Sequence, residues 1–302
     1  MKILSFLLVV LILASAIQAV AQDLEPRAFS PAPIGMNFGL VAYTYGTGNV
    51  FFDASLPVEE AKGTLQSVTL AYLRTINVFG ATGKLAAVVP IASGDYEGLW
   101  LDEPASAFRR GLADPMINLA VNFVGAPAST LREMATYHES TVVGAAFLVK
   151  VPLGQYDPEK LINLGSNRWS FRGRLGGSQR VGRWNFELIG ELWAFTENSE
   201  AFGANTISQD PILSIQTNVV YRFRRGFWGA AGFGYGEGGQ TEVSGVEKDT
   251  NQINKRFGLT LVFPIGTRHS LKAAYLNSLS TRIGADFDSF TFGWQYRWGG
   301  GV

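Results

Sequence analysis

The sequence predicts an all-β fold, an antiparallel transmembrane β-barrel of about twelve strands with both termini periplasmic. Three observations carry this expectation. The last strand alternates without a break: Phe290, Phe292, Trp294, Tyr296 and Trp298 face one way, and Thr291, Gly293, Gln295 and Arg297 the other. Successive side chains of a strand point to opposite faces, so one side is wholly aromatic and the other polar. In a closed barrel in lipid the aromatic side is the exterior and the polar side lines the lumen. Second, Lys2, an apolar run from Ile3 to Ala14, and Ala19-Val20-Ala21 before Gln22 have the charged start, apolar centre and A-x-A site of a secretory signal. Third, the connections between candidate strands alternate long and short, as in barrels with extracellular loops at one end and tight periplasmic turns at the other.

Residues 1–21 are therefore assigned to a cleaved signal, 22–33 to a periplasmic N-terminal segment and candidate plug, and 34–302 to the barrel. The apolar run of the signal is too short for a stable transmembrane helix, and no longer run follows it. Composition agrees: 47% apolar, 13% aromatic, 17% charged and 35 glycines suit many short strands joined by turns. Cysteine is absent, so no disulfide framework is expected. A net formal charge of zero argues against nucleic acid as a partner.

The strands follow in order. The first lies near 35–45, with Met36, Phe38, Leu40 and Ala42 on one face. The second, near 66–78, sets Val68, Leu70 and Tyr72 against Ser67 and Thr69. Arg74 falls on its apolar face, where either it snorkels to an interface or the register is off by one. A third lies near 84–92, a fourth near 115–123, a fifth near 141–151 and a sixth near 168–178. Residues 184–195 put Trp184, Phe186 and Leu188 opposite Asn185, Glu187 and Glu191. Then come 212–223, 227–235, 256–263, 270–277 and the closing strand. Long connections are expected at 46–65, 93–114, 152–167, 196–211 and 236–255, and short ones at 79–83, 180–183, 224–226 and 264–269. The 124–139 connection breaks the alternation. There Ser129-Thr130 before Leu131-Arg132-Glu133-Met134 predicts a capped helix under the barrel.

Catalytic chemistry finds no support. His138 and His269 both fall in predicted periplasmic connections, without a partner at metal-ligand spacing, and no cofactor or metal is expected. The inward-facing charges are the better lead. Glu187 and Glu191, four apart on one strand, point into the lumen, and Arg172 and Arg174 on the preceding strand lie opposite them. Lys150, Arg222, Arg256, Lys272 and Arg297 add further inward cations. Such charges either tune a solute path or tie a hydrated wall together. Glycines in Gly232-Phe233-Gly234-Tyr235-Gly236 leave room for neighbouring side chains or a solute.

Five segments carry a family resemblance: Arg27-Ala28-Phe29-Ser30-Pro31-Ala32-Pro33-Ile34-Gly35, Gly111-Leu112-Ala113-Asp114-Pro115, Val151-Pro152-Leu153-Gly154-Gln155-Tyr156-Asp157-Pro158, Leu161-Ile162-Asn163-Leu164-Gly165-Ser166-Asn167-Arg168-Trp169 and Trp294-Gln295-Tyr296-Arg297-Trp298-Gly299-Gly300-Gly301. With them the chain resembles the family named for the meta-pathway of phenol degradation, over essentially its whole mature length. The resemblance implies an outer-membrane transporter associated with aromatic degradation, and no enzyme of that pathway. Two expectations stand side by side. One is a passive outer-membrane channel for small solutes, including aromatic or apolar ones. The other is a non-conducting barrel that engages lipopolysaccharide or a partner through its loops. Outer-membrane lipid, lipopolysaccharide and a small-molecule solute are the expected partners.

Overall fold

A computed structural model describes residues 24–53 and 56–301; the expected signal, 1–21, lies outside them. In chain order the elements are β1 (Met36–Phe51), β2 (Val58–Val78), β3 (Ala81–Trp100), β4 (Glu103–Leu112), β5 (Met116–Pro127), the helix α1 (Leu131–Thr136), β6 (Thr141–Lys150), β7 (Ser170–Val181), β8 (Trp184–Phe195), β9 (Asn198–Ala201), β10 (Asn205–Gln209), β11 (Ile212–Arg224), β12 (Phe227–Gly238), β13 (Thr241–Val243), β14 (Val246–Glu247), β15 (Gln252–Ile265), β16 (His269–Thr281) and β17 (Gly284–Gly299). Every pairing is antiparallel, and β1 pairs with both β2 and β17, which closes the ring. Both β4 and β5 pair with β3 and form one strand interrupted at Ala113-Asp114-Pro115, so the ring holds twelve strands. Proline cannot donate to a ladder, which explains the break. The small strands β9, β10, β13 and β14 form a separate sheet over the loop end.

Side-chain exposure decides which face is which. Along β8, Trp184, Phe186, Leu188 and Leu192 are about half exposed, whereas Asn185, Glu187, Ile189, Glu191 and Trp193 are buried. Charge inside and aromatics outside is the inverse of a soluble barrel and the pattern of a lipid-facing wall. The closing strand repeats it, with Phe290, Phe292, Trp294 and Trp298 exposed. At the end bearing the short turns the outer rings form ladders. Tyr296 and Trp298 stack at 5.5 Å, Tyr72 and Trp298 lie 6.1 Å apart, and His269 lies against both Trp294 and Tyr296. On another part of this rim Tyr221, Phe223, Phe227 and Phe263 form a second chain of ring contacts at 4.5–5.4 Å. Aromatic girdles of this kind sit at a membrane interface. Arg74 is on the outer face with Tyr72, so the register holds and the side chain reaches toward the rim.

Connection lengths differ from expectation in one respect. The regions 46–65 and 93–114 are largely strand, because β2 and β3 run for 21 and 20 residues. That is about twice the span a tilted membrane strand needs, so β1 to β4 project as a collar beyond the wall. The collar's tip is a two-residue turn, Leu101-Asp102, with both residues at positive φ. The 152–167 connection is a loop, and 196–211 and 236–255 carry the small strands β9, β10, β13 and β14. The α1 helix forms where expected, capped at Thr130 by a reciprocal capping box with Glu133. The C-terminal glycines have a local cause: Gly300 has φ +58 and folds against the start of β1, where a Cβ would lie 2.6 Å from Met36 Cγ.

Candidate lumen and the segment inside it

Residues 24–35 enter the ring at the short-turn end and lie against its inner face. Thr75 anchors the turn into β1: its Oγ1 donates to the Pro33 carbonyl at 2.5 Å and accepts from Met36 N at 2.9 Å. Further in, Phe29 is buried among Ala120, Ala126, Val142 and Ile189. Asn122 Nδ2 and Lys84 Nζ donate to the carbonyls of Phe29 and Ala28 at 2.8 and 2.9 Å. At the inner tip Leu24 fills the space left by Gly232, Gly234 and Gly258; a Cβ on any of these would approach it to 3.4, 3.1 and 2.9 Å. The neighbouring side chain that those glycines accommodate is thus Leu24.

The charges read from the sequence line this path in layers. In the β7–β8 register Arg174 stands directly opposite Glu191. Arg174 Nε lies 2.6 Å from Glu191 Oε1, and its Nη1 bonds the Glu25 carboxylate. Arg172 lies over the Trp193 ring at 5.1 Å and reaches Glu191 at 4.0 Å. Gln216 and Ser214 also donate to Glu191, at 2.6 and 3.3 Å. Glu187 accepts the Arg27 backbone N–H at 2.8 Å and a bond from Asn218 at 3.3 Å, while the Arg27 guanidinium lies over Trp228. Four predicted residues and the inserted segment therefore form one network. The surrounding wall disfavours charge on Glu25, whose side chain is still about half exposed to the lumen, but the Arg174, Arg172 and Lys272 charges and the Arg174 hydrogen bond outweigh this and hold the carboxyl at about 2.

The remaining cations lie elsewhere. Arg222 meets Glu139 at 2.8 Å, and Glu139 also accepts from Asn185, so the α1 connection is tied under the short-turn end. Lys150 pairs with Asp114 at 3.5 Å at the opposite end. Arg256 is buried on the inner face of β15, and Lys272 is half-buried on β16. Arg297 is exposed and donates to the Thr267 carbonyl at 2.6 Å, bracing the turn after β15. His269 stacks outside the wall, accepting from Trp294 Nε1 at 3.2 Å.

Sequence reasoning missed the residue that organises the mouth. Asp114 is buried at the β4–β5 break and accepts from Gly154 N, Ser166 N and Ser166 Oγ at 2.9, 2.9 and 2.6 Å. Gly154 and Gly165 touch so closely that a Cβ on Gly154 would lie 2.7 Å from Gly165 Cα. The three motif segments around 111–115, 151–158 and 161–169 thus converge on one carboxylate. Asp114→Asn removes acceptor capacity that Asn cannot replace, and is expected to cost about 1–3 kcal/mol. Proteolysis within 151–169 should then quicken; unchanged cleavage would show that the loop is held by other contacts.

A family profile described as "Putative MetA-pathway of phenol degradation" matches residues 39–295. The chain belongs to this family. No curated protein sequence matches the chain. Among solved structures, an outer membrane channel from Pseudomonas putida F1 superposes with a TM-score of 0.76 at 18% identity, over 91% of this chain and 100% of that one. The β domain of the Bordetella autotransporter BrkA scores 0.47 at 13% identity, over 87% and 99% of the two chains. The KdgM porin in complex with disordered oligogalacturonate scores 0.43 at 8%, over 85% and 98%. For this family member the first likeness shows the fold, a twelve-stranded outer-membrane-type barrel.

Proposed function

We propose that this family member is an outer-membrane channel for small solutes, including aromatic or apolar ones, with both termini in the periplasm. One observation carries the reading: the closed ring has a polar lumen, and among the described residues the chain inside it is the short segment 24–35 before β1, held by side chains. A barrel built only as a structural element has no need of a removable filling. The charges support the same reading, because the Arg174–Glu191 pairing ties neighbouring strands along the wall instead of spanning the bore. Residues 24–33 are then a plug, and Glu187, Glu191, Arg172 and Arg174 line the path it occupies. Lys272 and Arg256 lie on the facing arc. Membership of the family and the apolar exterior support location in the outer membrane, with lipid and lipopolysaccharide around it. Purified protein in proteoliposomes should admit small solutes such as phenol faster than protein-free vesicles, and show conductance steps in planar bilayers. A sealed barrel under all voltages and solutes would favour the non-conducting alternative.

A further inference from the structure

The geometry points to a binding pocket for a single apolar ring on the inner face of the collar, which nothing in the lumen network uses. A cavity of about 150 Å³ opens there. Its wall comes from β3 and β4, where register places Tyr96 opposite Ala107 and Gly98 opposite Ala105. Small residues on β4 make the space, and Trp100 closes its tip. Tyr96 is buried yet does not fill the cavity, because its ring lies flat along the wall over two glycines. A Cβ on Gly94 or Gly63 would stand 2.6 or 3.0 Å from that ring. The lid comes from the connection 151–169, whose Leu161 and Ile162 reach over the collar. Arg109 Nε pins the lid by donating to the Ile162 carbonyl at 2.5 Å.

Size and lining define the ligand. The cavity is open at its mouth and mostly apolar in its lining, and about this volume takes one benzene-sized ring. Lys62, Glu97 and Arg109 also border the cavity, but Lys62 and Glu97 are exposed and stand opposite each other in the β2–β3 register, and Arg109 donates to the Ile162 and Phe108 carbonyls. The pocket therefore offers dispersion contacts and aromatic faces, without a buried charge to select an ion. It also deepens the channel reading and rests on it for its purpose: a ring held here sits at the mouth, above the Arg174–Glu191 layer.

Crystals of the full chain soaked with bromobenzene should show anomalous bromine density between Tyr96, Ala107 and Ile162, and 1-bromonaphthalene should not bind. Ala107→Trp fills the space and should remove the peak. In lipid nanodiscs the affinity for fluorobenzene, read by ¹⁹F line broadening, should fall at least about tenfold in that variant. Ile162→Ala enlarges the cavity and should admit 1-bromonaphthalene, which keeps the inference testable if Ala107→Trp does not fold. Absence of density in the native protein, density elsewhere, or equal binding in Ala107→Trp overturns the pocket. Ring binding without solute flux would leave the pocket standing and remove the channel reading; flux without ring binding would do the reverse.

Discussion

Arg174→Met is expected to destabilise the barrel by about 3–5 kcal/mol, the cost of leaving one member of a buried ion pair without its partner. Glu191 is the member left behind, with a side chain only 1% exposed. It keeps Gln216 at 2.6 Å, but its nearest remaining cation is Arg172 at 4.0 Å. The loss falls on the β7–β8 pairing, because the two side chains stand opposite each other in register. Urea unfolding in lipid vesicles, followed by tryptophan fluorescence, reads the change. The double variant Arg174→Met/Glu191→Leu should recover most of the loss, since replacing both partners of a buried pair is often neutral. An unchanged midpoint for the single variant would mean that lumen water substitutes for the guanidinium.

Deleting residues 24–31 should raise single-channel conductance several-fold while leaving the ring intact. The segment's hold is distributed over Leu24 on three glycines, Glu25 on Arg174, the Arg27 backbone on Glu187, and Phe29 in its apolar nest. Glu25→Gln should therefore give a partial effect, seen as brief openings. The pH dependence follows from the Glu25 carboxyl. A free carboxyl of this type titrates near 4.5, and in place it is held at about 2. A group depressed in the bound state contributes fully above 4.5, and its contribution is lost as pH falls through about 2. Closure should be unchanged from pH 7 to 5 and weaken below about 4, and Glu25→Gln should abolish that acid response. An acid response that survives in Glu25→Gln would assign it to another group.

Much of the candidate site was legible in the strands themselves. Glu187 and Glu191 share a face because residues two apart in a strand do, and Arg174 falls opposite Glu191 because a tight turn at Gly182-Arg183 fixes the hairpin register. The helix at Leu131–Thr136 was readable from Ser129-Thr130 just before it, since an N-cap acts within three residues. Asp114 gave no such signal. An Asp before a Pro reads as turn chemistry, and its three donors lie 40 and 52 residues away.

The sequence alone therefore determined the class of this protein: a barrel of about twelve strands, its aromatic face outward and its charges inward. The closing strand, Phe290 to Trp298, shows why, because period-2 alternation is a local property that any single strand displays. What tertiary structure decided is how the segment before β1 is held in the ring and what shapes the mouth. Glu25 meets Gln216 across 191 positions and Arg27 meets Glu187 across 160. Contacts of that separation leave no periodic trace, because each depends on where closure brings two distant strands and not on the residues beside it.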